Sequence, residues 1–133
     1  MATPRLKVDA TLPVPIWSQI EDGVRHLVAS GALRPGDALP SVRDLAREQR
    51  INPNTVAKAY RDLEREGTVE TRPGSGVFVA ARAGARCEAM RDAKIGERVG
   101  RAVAEALASG LTPQEIEGIV AQSLRGARVE ARS

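Results

Sequence analysis

A mainly α-helical protein with one small β-hairpin is what this sequence predicts, and three observations predict it. Apolar residues recur at helical spacing in five separate stretches. Two of these open on capping residues, Ser41 and Asn52, and lie so close together that two short helices must meet at a tight turn. Directly after them, Val69-Glu70-Thr71-Arg72 and Val77-Phe78-Val79 flank Pro73-Gly74-Ser75-Gly76, two β-prone runs around a glycine-rich turn. In that order the elements make an N-terminal winged helix-turn-helix, and the last two helical stretches make a C-terminal segment.

Residues 1–13 contain Pro4 and Pro13 and no clear period, and read as an extended arm. From Ile16, the positions Ile16, Ile20, Val24, Leu27 and Val28 form one helical stripe, with Pro15 suited to its first turn and Gly31 to the residue past its end. Leu33-Arg34-Pro35-Gly36-Asp37 is a turn with Pro-Gly as its corner. Ser41 caps the next helix with Asp44 at capping-box spacing, and Val42, Leu45 and Ala46 carry it to about Gln49. Asn52 caps the following helix, Pro53 takes its first position and Thr55 its third. Val56, Ala59, Tyr60 and Leu63 are its apolar face, Lys58, Arg61 and Arg65 fall on other sides, and Gly67 ends it.

Ala80 to Arg86 is small and polar, a linker or the fraying start of a helix, so the predicted division is 1–80 and 81–133. A helix from about Glu88 to Ser109 places Ile95, Val99, Val103, Ala106 and Leu107 on one side. Gly96 and Gly100 lie inside it and permit close approach of another helix, and Gly110 stops it. Thr112-Pro113-Gln114-Glu115 is a capping box that starts a last helix with Ile116, Ile119, Val120 and Leu124 on one stripe; from about Gly126 the chain reads as frayed. The stripes Ile95, Val99, Val103, Leu107 and Ile116, Ile119, Val120, Leu124 cover each other only partly in a monomer. Pairing two chains would bury both, so these residues are the predicted dimerisation surface.

Composition bounds the function. A chain of 133 residues holds one ordinary domain, or a small domain with an appendage. Trp17, Tyr60 and Phe78 are its whole aromatic set, which leaves an aliphatic core and no platform for stacking single-stranded bases. Net charge is only +3, and residues 1–80 hold 11 Lys and Arg against 10 Asp and Glu. Any affinity for nucleic acid must therefore come from where the basic residues sit. Cys87 and His26 are the sole cysteine and histidine, so there is no internal disulfide, no metal cluster and no nucleophile–base constellation, and neither an enzyme nor a cofactor is expected. No apolar run is long enough to span a membrane and the N-terminus lacks a signal-peptide core, so a cytoplasmic location is expected.

Several residues form one linked pattern: Pro15-Ile16, Ser30-Gly31, Leu33-x-Pro35-Gly36-Asp37-x-Leu39-Pro40-Ser41-x-Arg43-x-Leu45-Ala46, Asn52-Pro53-Asn54-Thr55-Val56, Ala59-Tyr60-x-x-Leu63-x-x-x-Gly67 and Gly74-x-Gly76-x-Phe78-Val79. With it, about half the chain resembles the GntR family of bacterial transcription regulators. A tail too short for a large effector or aminotransferase-like domain resembles the YtrA subfamily, where it implies dimerisation. Two positions depart from the family pattern. Arg50 stands in the turn where glycine is frequent, at a cost on the order of 1 kcal/mol if its φ is positive. Arg72 is the only charge at the wing tip, where further basic residues are common.

The resemblance and the caps together nominate the DNA-binding residues. Arg43, on the first turn of its helix, is placed to reach a phosphate or a guanine edge, against the alternative of a solvated arginine or one paired with Asp44 or Glu48. Asn54 and Thr55 open the recognition helix, Lys58 lies one turn further along that side, and Arg61 follows. Ser41 and Asn52 combine capping with a possible phosphate contact, capping being the main role of Asn52. Arg72, Gly74, Ser75 and Gly76 form the wing. The expected protein is a dimeric, sequence-specific repressor on palindromic double-stranded DNA, with a small-molecule effector, if it has one, at the dimer interface or between domains. The competing expectation is a winged-helix protein-interaction module without its own DNA target; the clustering of Arg43, Asn54, Thr55 and Lys58 weighs against it.

Overall fold

The computed structural model describes residues 6–132, so Pro4 and the start of the predicted arm lie outside the described residues. In chain order the elements are α1 (Ile16–Ala29), α2 (Val42–Gln49), α3 (Pro53–Arg65), β1 (Val69–Arg72), β2 (Gly76–Val79), α4 (Ala83–Ala108) and α5 (Pro113–Arg132). The chain divides into two compact units, one ending at Asp92 and the other starting at Ala93, so the division falls inside α4.

The first unit is the winged helix-turn-helix. Its core is aliphatic: Ile20, Val24 and Val28 from α1, Leu45 from α2, Val56, Ala59 and Leu63 from α3, and Val69 and Val79 from the hairpin are buried together. α3 packs against α1, α2 and β1 and is the central element. The Tyr60 hydroxyl donates to the Pro40 carbonyl at 2.7 Å, one residue ahead of the α2 cap, and so fixes the start of α2 against the middle of α3. Burial, with the Glu48 charge nearby, pushes the Tyr60 phenol up from its ordinary value and keeps it a donor.

β1 and β2 pair antiparallel with Val69 opposite Val79 and Arg72 opposite Gly76. Ser75 N–H donates to the Arg72 carbonyl at 2.9 Å with Gly74 at φ 78°, a type II turn with Pro73 and Gly74 at its corner. A feature absent from the sequence pattern protects the other edge of β2. Leu39 N–H donates to the Val77 carbonyl, and Gly36 and Val79 N–H groups donate to Val79 and Asp37 carbonyls, so the Pro35–Leu39 segment covers that edge as a short third strand would.

Three boundaries differ from the sequence expectation. The described part of the N-terminal arm is anchored rather than extended. Leu6 is buried, and the Gln19 side chain accepts from Asp9 N–H while donating to the Asp9 and Val14 carbonyls. Leu6 fills the space over Gly23, where a Cβ would stand 2.8 Å from it. α4 starts five residues earlier than expected, because Ala83 and Cys87 are buried in the first unit's core, and small residues there are packing residues rather than a linker. α5 continues to Arg132 past Gly126, where fraying was expected. Its start is the predicted capping box: Thr112 N–H donates to Glu115 and Glu115 N–H to the Thr112 hydroxyl, both at 3.1 Å.

Arg50 has φ 55° and ψ 50°, and is the only non-glycine residue with positive φ among the described residues. This left-handed cap turns the chain from α2 into α3, and Ile51 N–H donates back to the Ala46 carbonyl. Arg50→Gly is expected to raise stability by some fraction of about 1 kcal/mol. A higher denaturant midpoint at unchanged slope would show it, and a lower midpoint would contradict it.

Glu21 is buried on α1 with Oε2 unpartnered and Oε1 3.4 Å from Arg25. Burial first, then the Asp62 charge, raises its carboxyl above the ordinary 4.5. The native state therefore holds this proton more tightly than the unfolded chain does. The stability it supplies is fully present below pH 4.5 and is lost as pH rises through the native value. Glu21→Gln should raise the neutral-pH Tm, with the gain vanishing on acidification below that range. A neutral-pH Tm below that of the wild type would contradict this reading.

Candidate nucleic-acid interface

The two motif helices present their starts through side-chain caps. Ser41 Oγ accepts from Asp44 N–H at 3.0 Å, and Asn52 Oδ1 accepts from Asn54 N–H at 2.8 Å. Both cap oxygens thus serve the helices, and each leaves its neighbours in the first turn facing water. The Asp44 carboxylate, placed at capping-box spacing, instead pairs with Arg47 at 2.7 Å.

At about 3.6 residues per turn, Asn54, Lys58, Arg61 and Arg65 share the side of α3 opposite Val56, Ala59 and Leu63. Asn54, Arg61 and Arg65 are exposed there, with Lys58 and Thr55 half-buried. Arg43 is exposed on the first turn of α2, with Arg47 one turn behind it. Arg43 and Arg61 make no hydrogen bond or ion pair among the described residues.

Lys58, Arg65 and Arg72 are engaged. Lys58 Nζ lies 2.8 Å from Asp62 Oδ2 and 3.9 Å from the centre of the Trp17 ring. Arg65 lies 3.9 Å from the same Asp62 carboxylate, which the Lys58 hydrogen bond holds below the usual aspartate value. Arg72 pairs with Glu70 at 2.8 Å and lies over the Phe78 ring at 4.3 Å, so the wing's one basic side chain rests along the hairpin. Gly74, Ser75 and Gly76 are exposed at the tip. The hairpin is tied to α3 through Thr71 N–H, which donates to Glu64 at 2.9 Å and keeps that carboxyl below its ordinary value. Arg25 of α1 reaches both oxygens of Glu66 at the end of α3.

Arg47 and Arg65, exposed on the same helices, are not singled out by the sequence pattern, nor are the acids that pair with them. The signal was available in the spacing, since Asp44 to Arg47 and Lys58 to Asp62 are one turn apart. Among the described residues no group of three or more His, Cys, Asp or Glu is arranged to hold a metal ion. No helix among them is long and apolar enough to cross a membrane.

In the second unit the two stripes remain largely uncovered. Ile95, Val99, Leu107, Ile119, Val120 and Leu124 are 46–54% exposed, and Val103 and Ile116 are half-buried.

The element order from α1 to β2 coincides with residues 17–79, which match the model of bacterial regulatory proteins of the gntR family. The chain belongs to the GntR family. It is therefore a DNA-binding transcriptional regulator. It is 41% identical over 106 residues to the HTH-type regulator YhcF of Bacillus subtilis, spanning 79% of this chain and 87% of that one. It is 45% identical over 78 residues to YtrA of the same organism, spanning 59% of this chain and 60% of YtrA. The crystal structure of a transcriptional regulator from Oenococcus oeni superimposes with a TM-score of 0.72 at 34% identity, over 88% of this chain and 97% of that one. The likeness to the Oenococcus oeni regulator thus extends beyond residues 17–79 of this chain.

Proposed function

We propose that this GntR regulator is a homodimeric repressor that reads a two-fold symmetric operator. α3 enters the major groove, Arg43 and Asn54 make the base or clustered phosphate contacts, and Thr55, Lys58 and Arg61 line the same approach. Ser41 and Asn52 hold the helix starts, and the tip Gly74-Ser75-Gly76 lets backbone approach the duplex. Arg72 leaves the hairpin to join it. The observation that carries this reading is the pair of unpartnered arginines, Arg43 and Arg61, exposed on the two helices that Tyr60 and Pro40 lock together.

The exposed stripes from Ile95 to Leu107 and from Ile116 to Leu124 support pairing of two chains, because apolar surface of that extent is unfavourable in water. Repression is supported by the similarity to YtrA, which bears the name transcriptional repressor. A small-molecule effector that releases the operator would sit at the dimer interface, since a two-helix tail encloses no drug-sized pocket by itself. A gel shift on the DNA upstream of the protein's own gene, with unlabelled random duplex as competitor, tests the reading. A shift that survives competition supports it. No shift, with capture of a protein partner by the same face, would favour the winged-helix interaction module instead.

A further inference from the structure

We propose that Asp62 is a specificity-determining residue of the DNA interface: by holding Lys58 and Arg65 it keeps the outward face of α3 from gripping any duplex as a bare stripe of cations. The inference rests on the reading of that face as the DNA face. Non-specific affinity grows with the number of phosphates a protein neutralises, whatever the sequence. A regulator gains discrimination if cations beside its base-reading residues are withheld until the correct sequence seats the helix.

The structure carries such a device at several points. Arg47 is paired with Asp44, Arg72 with Glu70, and Lys58 and Arg65 with Asp62. An isolated exposed pair contributes little and would yield readily to a phosphate. The Lys58 pair is more constrained. Asp62 is only 27% exposed, and Lys58 also lies over Trp17, whose ring is partly exposed at the start of α1. Lys58 is thus held by one group of its own helix and by one from α1, and a phosphate must displace both. Asp62 in turn lies near the buried carboxyl of Glu21, and its charge helps to raise that carboxyl above its ordinary value.

The test uses the full-length chain and a random-sequence duplex, titrated at several salt concentrations, beside a duplex selected by the wild type. Asp62→Asn keeps the size and removes the charge. It should tighten random-duplex binding about 5- to 20-fold at low salt and steepen the slope of log K against log[salt] by about 1–2, close to 0.9 per added phosphate contact. The ratio of selected to random affinity should fall. Adding Lys58→Gln to Asp62→Asn should return about one unit of that slope. Trp17→Leu, which keeps an apolar side chain beside α3, should move the slope in the same direction as Asp62→Asn but less far.

An unchanged random-duplex affinity and slope in Asp62→Asn would overturn the proposal, as would equal tightening on both duplexes. Failure of the underlying reading has a different signature. Arg43→Ala and Arg61→Ala would then leave the salt slope of the wild-type background untouched, placing DNA on another face.

Discussion

Arg43→Ala and Asn54→Ala are each expected to weaken operator binding by about 1–3 kcal/mol, a loss of roughly 5- to 150-fold, with folding nearly unchanged. Both side chains are exposed and neither has a side-chain partner among the described residues, so truncation removes nothing that the fold uses. The contrast with Asn52 is informative. Its side chain caps α3 at 2.8 Å, and Asn52→Ala should lower thermal stability by about 1 kcal/mol as well as affinity. Titrations at one fixed salt concentration, beside thermal melts of each variant, separate the two behaviours. Wild-type affinity in both Arg43→Ala and Asn54→Ala would rule out this docking.

Removing the second unit should have the larger consequence. A chain ending at Asp92 keeps Ala83 and Cys87 in the core and the Arg91 guanidinium on the Ala29 carbonyl at 3.1 Å. A cut after Ala80, where composition alone suggests the boundary, would strip those packing residues from the winged domain. The fragment ending at Asp92 is expected to be a folded monomer that binds a single half-site weakly. On a two-half-site operator its affinity should fall by orders of magnitude, because the second contact no longer comes at high effective concentration. Sedimentation of the intact chain at micromolar concentration should give a dimer. A monomer at that concentration, or a fragment that binds the whole operator as tightly as the intact chain, would contradict the assignment of the stripes from Ile95 to Leu124.

Much of this was legible because the informative residues act locally. Ser41, Asn52, Pro53, Gly67 and the Thr112 box set helix ends through contacts within a turn, and α2 and α3 fall where those residues put them. Arg50 was legible for the same reason, since the backbone demand of a tight turn is local. The long-range features were not. Nothing in the period of residues 6–15 reveals that Leu6 fills the space over Gly23, or that Gln19 clasps the preceding loop. Ala83 and Cys87 look like linker because small residues carry little hydrophobic signal, yet they occupy tight core positions. In the interface, residue type and spacing point to cations but not to their partners. Lys58 reads as a free lysine in sequence and is engaged by Asp62 and Trp17 in the fold.

In the proposed complex two winged domains, joined by the helical tail, read a symmetric site through the starts of α2 and α3. Selecting duplexes from a random library with the intact chain tests it most directly. The expected result is an inverted repeat with half-site centres about one helical turn, or a multiple of it, apart, and with two chains bound per duplex. Enrichment of a single asymmetric half-site with one chain bound, or no enrichment at all, would contradict it.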